Sequence, residues 1–313
     1  MTGLRWCIAV LCAAGCGRSL PTDGKLPVAA GGRYVAVGSE GTIVSSLDGS
    51  SWLTQVSGTK KALSSIAVGR STFVAVGADG VILTSLDGAA WLEQVSGTKT
   101  SLSHVIFTGE KFIAVGGSWD TGAATVESHD GRSWILVTSP SNYMFRAVAQ
   151  KGTTVVASAA FKSDLQTPAL FTATLSAGSA GSNWTKQAGP DFNDSLTVDD
   201  RIFVVGRGTF ASSSDGVTWS EQKLSADRAI AYAGETFVVV GELGQISTST
   251  EGTRWTAAQP VAAGWLSGVT WGSAAGFVAV GGSGAIFTSM DGASWLGRTS
   301  PSKAHLSDVA FGP

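Results

Sequence analysis

A short signature, Asp-Gly-x-x-Trp behind a Ser or Thr, returns along most of the chain at near-constant spacing. It occurs as Asp48-Gly49…Trp52, Asp87-Gly88…Trp91, Asp130-Gly131…Trp134, Asp215-Gly216…Trp219 and Asp291-Gly292…Trp295. Glu replaces Asp in Glu251-Gly252…Trp255. A seventh copy, Ser179-Ala180-Gly181-Ser182-Asn183-Trp184, has lost the acid and kept the Trp. Successive Trp residues lie 39, 43, 50, 35, 36 and 40 positions apart. A repeat of this length is one supersecondary block that cannot bury its own faces and must stack on its neighbours.

Each block reads as four short strands split by Gly-bearing turns. The second is the clearest: residues 63–68, then 72–77, 81–84 and 91–95, with turns at 69–71, 78–80 and 87–88. The stretch Phe73-Val74-Ala75-Val76 is apolar at every position, the pattern of a strand covered on both faces. Seven such sheets around an axis make an all-β, seven-bladed β-propeller of four-stranded antiparallel blades. Blade one lacks a good first strand, because Pro27 interrupts its candidate and cannot donate to a ladder. The missing piece stands at the other end. Leu306-Ser307-Asp308-Val309-Ala310-Phe311 matches Leu63-Ser64-Ser65-Ile66-Ala67-Val68, so the C-terminal strand is expected to complete blade one and close the ring.

The signature has a structural explanation. Asp at the head of a tight turn accepts hydrogen bonds from backbone N–H groups two and three residues on, and Gly supplies positive φ. Trp brings on the order of 200 Å² of apolar area to a seam between blades. A residue present in every blade does not mark one unique site. These residues resemble the Asp-box, or BNR, repeat of sialidase-type propellers, whose form is Ser-x-Asp-x-Gly-x-Thr-Trp. Here one residue is missing between Asp and Gly. The fuller pattern, Phe-Val-Ala-Val-Gly…Gly-x-Ile-x-Thr-Ser-x-Asp-Gly-x-x-Trp, is similar to bacterial secreted propellers related to photosystem II assembly-factor-like proteins. The resemblance spans residues 28–313. It implies the fold and leaves function open, since such propellers include enzymes, lectins and assembly factors.

The first residues read as an address. Arg5 precedes an apolar run, residues 6–14, that is too short to span a bilayer as a mature helix. Ala13-Ala14-Gly15-Cys16 resembles a bacterial lipoprotein cleavage box, with Ala where Leu is usual. All three Cys (Cys7, Cys12, Cys16) lie in this segment, so a mature chain starting at Cys16 has no disulfide framework. The expected organisation is a lipoprotein-type signal peptide over 1–16 ending at lipidated Cys16, a flexible tether over 17–26, and the propeller over 27–313. The resemblance implies diacylglyceryl attachment at Cys16, and Gly17 fits outer-membrane sorting in a Gram-negative host. A plain secretory signal cleaved nearby is the alternative. A net charge of −2, with no Lys/Arg stripe, argues against a nucleic-acid partner.

Departures from the repeat point to the surface where a ligand would sit. The turn between second and third strands is short in most blades. It expands at residues 117–123 in blade three and 160–168 in blade four, read as loops on one face of the ring. Trp119, Asp120, Tyr143, Phe161, Lys162 and Asp164 are therefore expected to form one patch; drift in a tolerant surface loop is the competing explanation. Trp271 aligns with Val68 and Phe107 and is expected in the core. No catalytic residues and no metal ligands emerge: His104, His129 and His305 have no ligand spacing, and no Ser or Cys nucleophile is matched to a His and a carboxylate. The Arg-Ile-Pro segment of sialidases is absent.

The expectation is a non-enzymatic, lipid-anchored propeller of the cell envelope, needing no cofactor and acting as a protein-interaction or assembly module. Its partner would be another envelope protein or a glycan, with membrane attachment through the N-terminal lipid alone. The alternatives are a carbohydrate-binding propeller stacking sugars on Trp119, Tyr143 and Phe161, and a divergent glycoside hydrolase of sialidase-like fold.

Overall fold

A computed structural model describes residues 31–313 apart from 138, 162–163, 177–178, 181–182, 259 and 262–263. Cys16 and the expected tether lie outside the described residues. Seven antiparallel sheets follow one another around an axis. Blade two is Leu63–Gly69, Thr72–Gly77, Ile82–Ser85 and Leu92–Gln94, close to its sequence reading. Blade one has strand order Leu306–Gly312, Arg33–Gly38, Ile43–Ser46, Leu53–Gln55, so its innermost strand is the C-terminal one. Tyr34 stands opposite Phe311 and Val35 opposite Ala310, and the two ends of the chain hold each other. Among the described residues no helix is long and apolar enough to cross a membrane.

Alternation explains how the ring is filled. In the second strand of blade one, Val35 and Val37 enter the seam with blade two, whereas Tyr34 and Ala36 enter the seam with blade seven. The same division recurs around the ring as seven interblade apolar layers. Each layer receives the repeat Trp of one blade. Trp52 packs with Val278 and Val280 of blade seven, and Trp91 with Val35 and Val37 of blade one.

The signature turns have the expected geometry. Asp87 Oδ1 accepts from the N–H groups of Ala89 and Ala90, both at 2.9 Å, and Ser85 Oγ accepts from Gly88 N at 2.8 Å. Asp48, Asp130, Asp215 and Asp291 repeat the pattern. These backbone donors hold the Asp48, Asp130 and Asp215 carboxyls down to about 2. Gly88 has φ +68, and a Cβ there would lie 2.6 Å from Val35 Cγ2 of the preceding blade, so this Gly serves both the turn and the seam.

Three readings are corrected. The expansions in blades three and four are not loops but longer hairpins, Phe112–Ser118 with Gly122–Ser128 and Thr154–Phe161 with Asp164–Ser176. Cross-strand pairing continues through the added residues, because it satisfies their backbone groups. Blade four also carries a two-residue strand, Ser179–Ala180, where the acid of the signature is lost. Trp271 is 37% exposed, because it lies near the end of the inner strand, Leu266–Gly272, on the face of the ring that carries the signature turns and beyond the seam that covers Val269.

Candidate interaction face

The turns between second and third strands, with the connections from one blade to the next, make one face of the ring; the signature turns make the other. The first face is tied down by a recurrent contact. Ala78 N donates to Ala62 O at 2.9 Å, and Ser39 N, Gly117 N and Gly282 N donate likewise to His305, Ser101 and Trp265 carbonyls. The residue before each of these donors is Gly. A Cβ at Gly38, Gly77, Gly116 or Gly281 would come within about 2 Å of that carbonyl, so this column is Gly because backbone meets backbone there.

Trp119 and Asp120 sit exposed on the tip of the blade-three hairpin, Trp119 at 58%. The hairpin rests on the connection to blade four, since Gly117 lies against Met144 and Gly122 against Ser141. Tyr143 and Phe161 are cross-strand partners with ring centroids 5.2 Å apart. Both are half-buried. Tyr143 also meets the Phe171 ring edge-on at 4.8 Å and accepts a hydrogen bond from Lys186 Nζ at 2.9 Å. The structure thus brings Tyr143 and Phe161 together and leaves Trp119 standing apart on the adjoining hairpin. Lys162 lies outside the described residues, as does the side chain of Asp164.

The same face carries a charged group that the sequence reading did not single out. Asp191, in the connection to blade five, is buried to 5% side-chain exposure, and its Oδ2 is shared by Arg146 Nη1 at 2.8 Å and Arg207 Nη1 at 3.2 Å. Its Oδ1 is buried with no hydrogen-bond partner among the described residues. In the next blade Arg228 pairs with Glu242 at 2.5 Å and stacks 5.4 Å from the Trp265 ring centroid. Trp265 is 53% exposed. Burial first, then the Arg228 charge, lowers the His305 pKa and favours its neutral form. A signal existed in the repeat. The bulge residue of the inner strand is Ser64, Ser103, Ser267 and Ser307 in four blades; Arg146 replaces it in blade four, and Arg228 stands at the equivalent position just before the inner strand of blade six.

The axis itself is polar. Asp308, Ser65, His104 and Asp194 occupy one register position on the inner strands of blades one, two, three and five. Asp308 Oδ2 accepts from Ser65 Oγ at 3.0 Å and Ile66 N at 2.9 Å; Asp194 Oδ2 accepts from Ile230 N at 2.9 Å. His104 Nε2 lies 3.3 Å from Asp194 Oδ1. Desolvation, with Asp194 adding to it, pushes the Asp308 carboxyl up to about 6. These groups join blade one to two and five to six, and His104 reaches from blade three past blade four to blade five. Among the described residues no three His, Cys, Asp or Glu side chains group closely enough to hold a metal ion.

No family model matches the chain. No curated protein matches it either. Solved structures do. The chain is similar to a YCF48 bound to D1 peptide, with TM-score 0.56 and 14% identity, over 88% of this chain and 86% of that one. It is similar to a YCF48 from Cyanidioschyzon merolae, with TM-score 0.54 and 15% identity, over 80% and 95% of the two chains. A chain of a nidogen/laminin complex matches with TM-score 0.54 and 8% identity, over 90% and 99%. At these identities the likeness is one of fold: the protein is a seven-bladed propeller.

Proposed function

We propose that this chain is an extracytoplasmic propeller, anchored by lipid at Cys16, that acts as a protein-interaction or assembly module through the face just described. The carrying observation is the Arg228–Trp265 stack beside the Arg146–Asp191–Arg207 group: planar guanidinium groups and an exposed indole on a rigid scaffold. Guanidinium pairs with carboxylate in two parallel hydrogen bonds, and Trp and Arg dominate protein contacts. An acidic segment of an envelope protein fits that chemistry. Two neighbours in fold support the reading, one a YCF48 bound to D1 peptide and one from a nidogen/laminin complex. The Asp-box resemblance agrees with a secreted propeller.

The test is capture from detergent-solubilised membranes with the tagged full-length chain. A partner recovered with wild type and reduced ~10-fold by Arg228→Ala with Trp265→Ala is the expected result, equivalent to about 1.4 kcal/mol. Failure to recover any reproducible partner sinks the proposal. Radioactive palmitate labelling that persists in Cys16→Ala removes the anchor. Trp119 alone favours the glycan reading, and its fluorescence, unmoved across a glycan panel, would remove that one.

A further inference from the structure

The outer rim of the ring is divided in two. The residue after the repeat Trp opens the outermost strand of each blade. It is Leu296 in blade seven, Leu53 in one, Leu92 in two and Ile135 in three, and these side chains are 57–70% exposed. In blades four, five and six it is Thr185, Ser220 and Thr256. The residue before the signature acid divides in nearly the same way. Met290, Leu47 and Leu86 project from the turns of blades seven, one and two, 59–70% exposed, against His129, Ser214 and Thr250 in blades three, five and six. The seam is already filled by the repeat Trp, so these Leu and Met side chains add little to the packing of their own blades. The hydroxyl residues at the same register show that the fold does not require an apolar side chain there.

Grooves open outward along this arc. Met290 and Leu296 wall one of about 410 Å³ between blades seven and one, which also holds Asp48, Asp291 and Arg298. Leu86 and Leu92 wall one of about 320 Å³ between blades two and three, with Asp87 and Arg132. The corresponding groove between blades four and five is lined mainly by Thr154, Thr172, Thr174, Asn183 and Thr185, with Val217 and Ala173 as its apolar members. Each apolar groove thus carries a carboxylate and a guanidinium. A surface bearing both signs beside apolar walls is self-complementary when turned through a half-turn, which an isologous contact requires. Val56 and Val95, each 85% exposed, extend the apolar area. Monomers rarely leave more than several hundred Å² of contiguous apolar surface in water, and a stable partner contributes about 800 Å². A lipid surface fits less well, because the signature carboxylates, held ionised, stand beside Leu47, Leu86 and Met290 and would have to leave water with them.

We propose that the rim centred on blades one and two, with a groove to either side, is the contact between two copies of this chain in an isologous dimer. The surface lies apart from the Arg228–Trp265 face and leaves that face open. Light scattering on the full-length chain in mild detergent, with circular dichroism as the check on folding, tests it. Wild type is expected as a dimer at micromolar concentration. Leu53→Lys with Leu92→Lys should be monomeric with an unchanged spectrum, and Thr185→Lys with Thr256→Lys should stay dimeric. If the Lys pair does not fold, Leu53→Ser with Leu92→Thr, hydroxyl residues of the kind blades four to six carry there, should weaken the dimer ~10-fold or more. A monomeric wild type, or Leu variants that dimerise as well as wild type, overturns the proposal. So does a wild type that is monomeric and floats with phosphatidylcholine vesicles through Leu53 and Leu92.

Discussion

Tyr34 shows how one substitution in a repeat acquires a task. Its column is Phe73 in blade two, Phe112 in three, Phe237 in six and Phe277 in seven, all opposite a Ser of the third strand. Tyr34 is fully buried, and its hydroxyl donates to Gly272 O at 2.7 Å and accepts from Ala275 N at 2.9 Å, both in blade seven. Burial pushes the phenol up to about 12, so it remains neutral and able to donate. The one blade whose strands come from both chain ends therefore has a polar latch to its neighbour. Tyr34→Phe keeps the ring and removes the latch. It is expected to lower unfolding free energy by about 1–2 kcal/mol in urea, with unchanged m-value. An unaltered midpoint would show the latch to be idle.

At the scale of elements, the inner strands have an electrostatic character of their own. Asp308 faces Ser65, the N–H groups of Ile66 and Val309, the Asp194 carboxyl group and the His104 ring. Its folded pKa of about 6 stands above the unfolded carboxyl value. The folded state therefore binds this proton more tightly, and the contribution of Asp308 to stability is present below pH ~4 and lost as pH rises through 6. The signature carboxylates have the opposite sign: their folded values lie below the unfolded one, and their contribution is lost as pH falls from ~4 toward 2. Comparing Asp308→Asn with wild type isolates the first effect. The variant should gain on wild type by on the order of 1 kcal/mol between pH 4 and 7. A difference that stays flat or runs the other way would mean the axis does not titrate as a unit with the fold.

For the whole molecule, stability depends on closure. Leu306–Gly312 supplies the inner strand of blade one, and Leu306, Val309 and Ala310 are buried there. The same strand gives Asp308 to blade two and Phe311 to the Tyr34 ring, 4.6 Å away. Truncation after Ser300 exposes the side chains these residues cover, a large and fully buried one being worth about 1.5–3 kcal/mol, and leaves the second strand of blade one without its inner partner. A fall of ten degrees or more in the thermal midpoint is expected, on the order of several kcal/mol. An unchanged midpoint would mean the ring holds without its clasp.

The sequence by itself determined whatever is local or periodic. Asp and Gly of the signature act on N–H groups two and three residues away, so their turn is written where it forms. Blade number follows from counting Trp. Closure followed from phase, since Leu306 to Phe311 match the first strands of blades two and three and Tyr34 to Gly38 the second. The tertiary structure alone decided what depends on residues distant in sequence. Asp191 gathers Arg146 and Arg207 because three separate blade segments converge at one point of the ring, and no spacing along the chain records that. Residues 117–123 and 160–168 read as loops, yet Gly117 pairs with Ala123 and Ala160 with Pro168 across a hairpin. Trp271 had the right column for a core residue and the wrong depth, because a column sets the direction of a side chain while burial depends on what stands opposite. The apolar columns of the rim were likewise visible in the repeat, but only the place of their strands at the outer edge of each sheet shows that Leu53 and Leu92 face water.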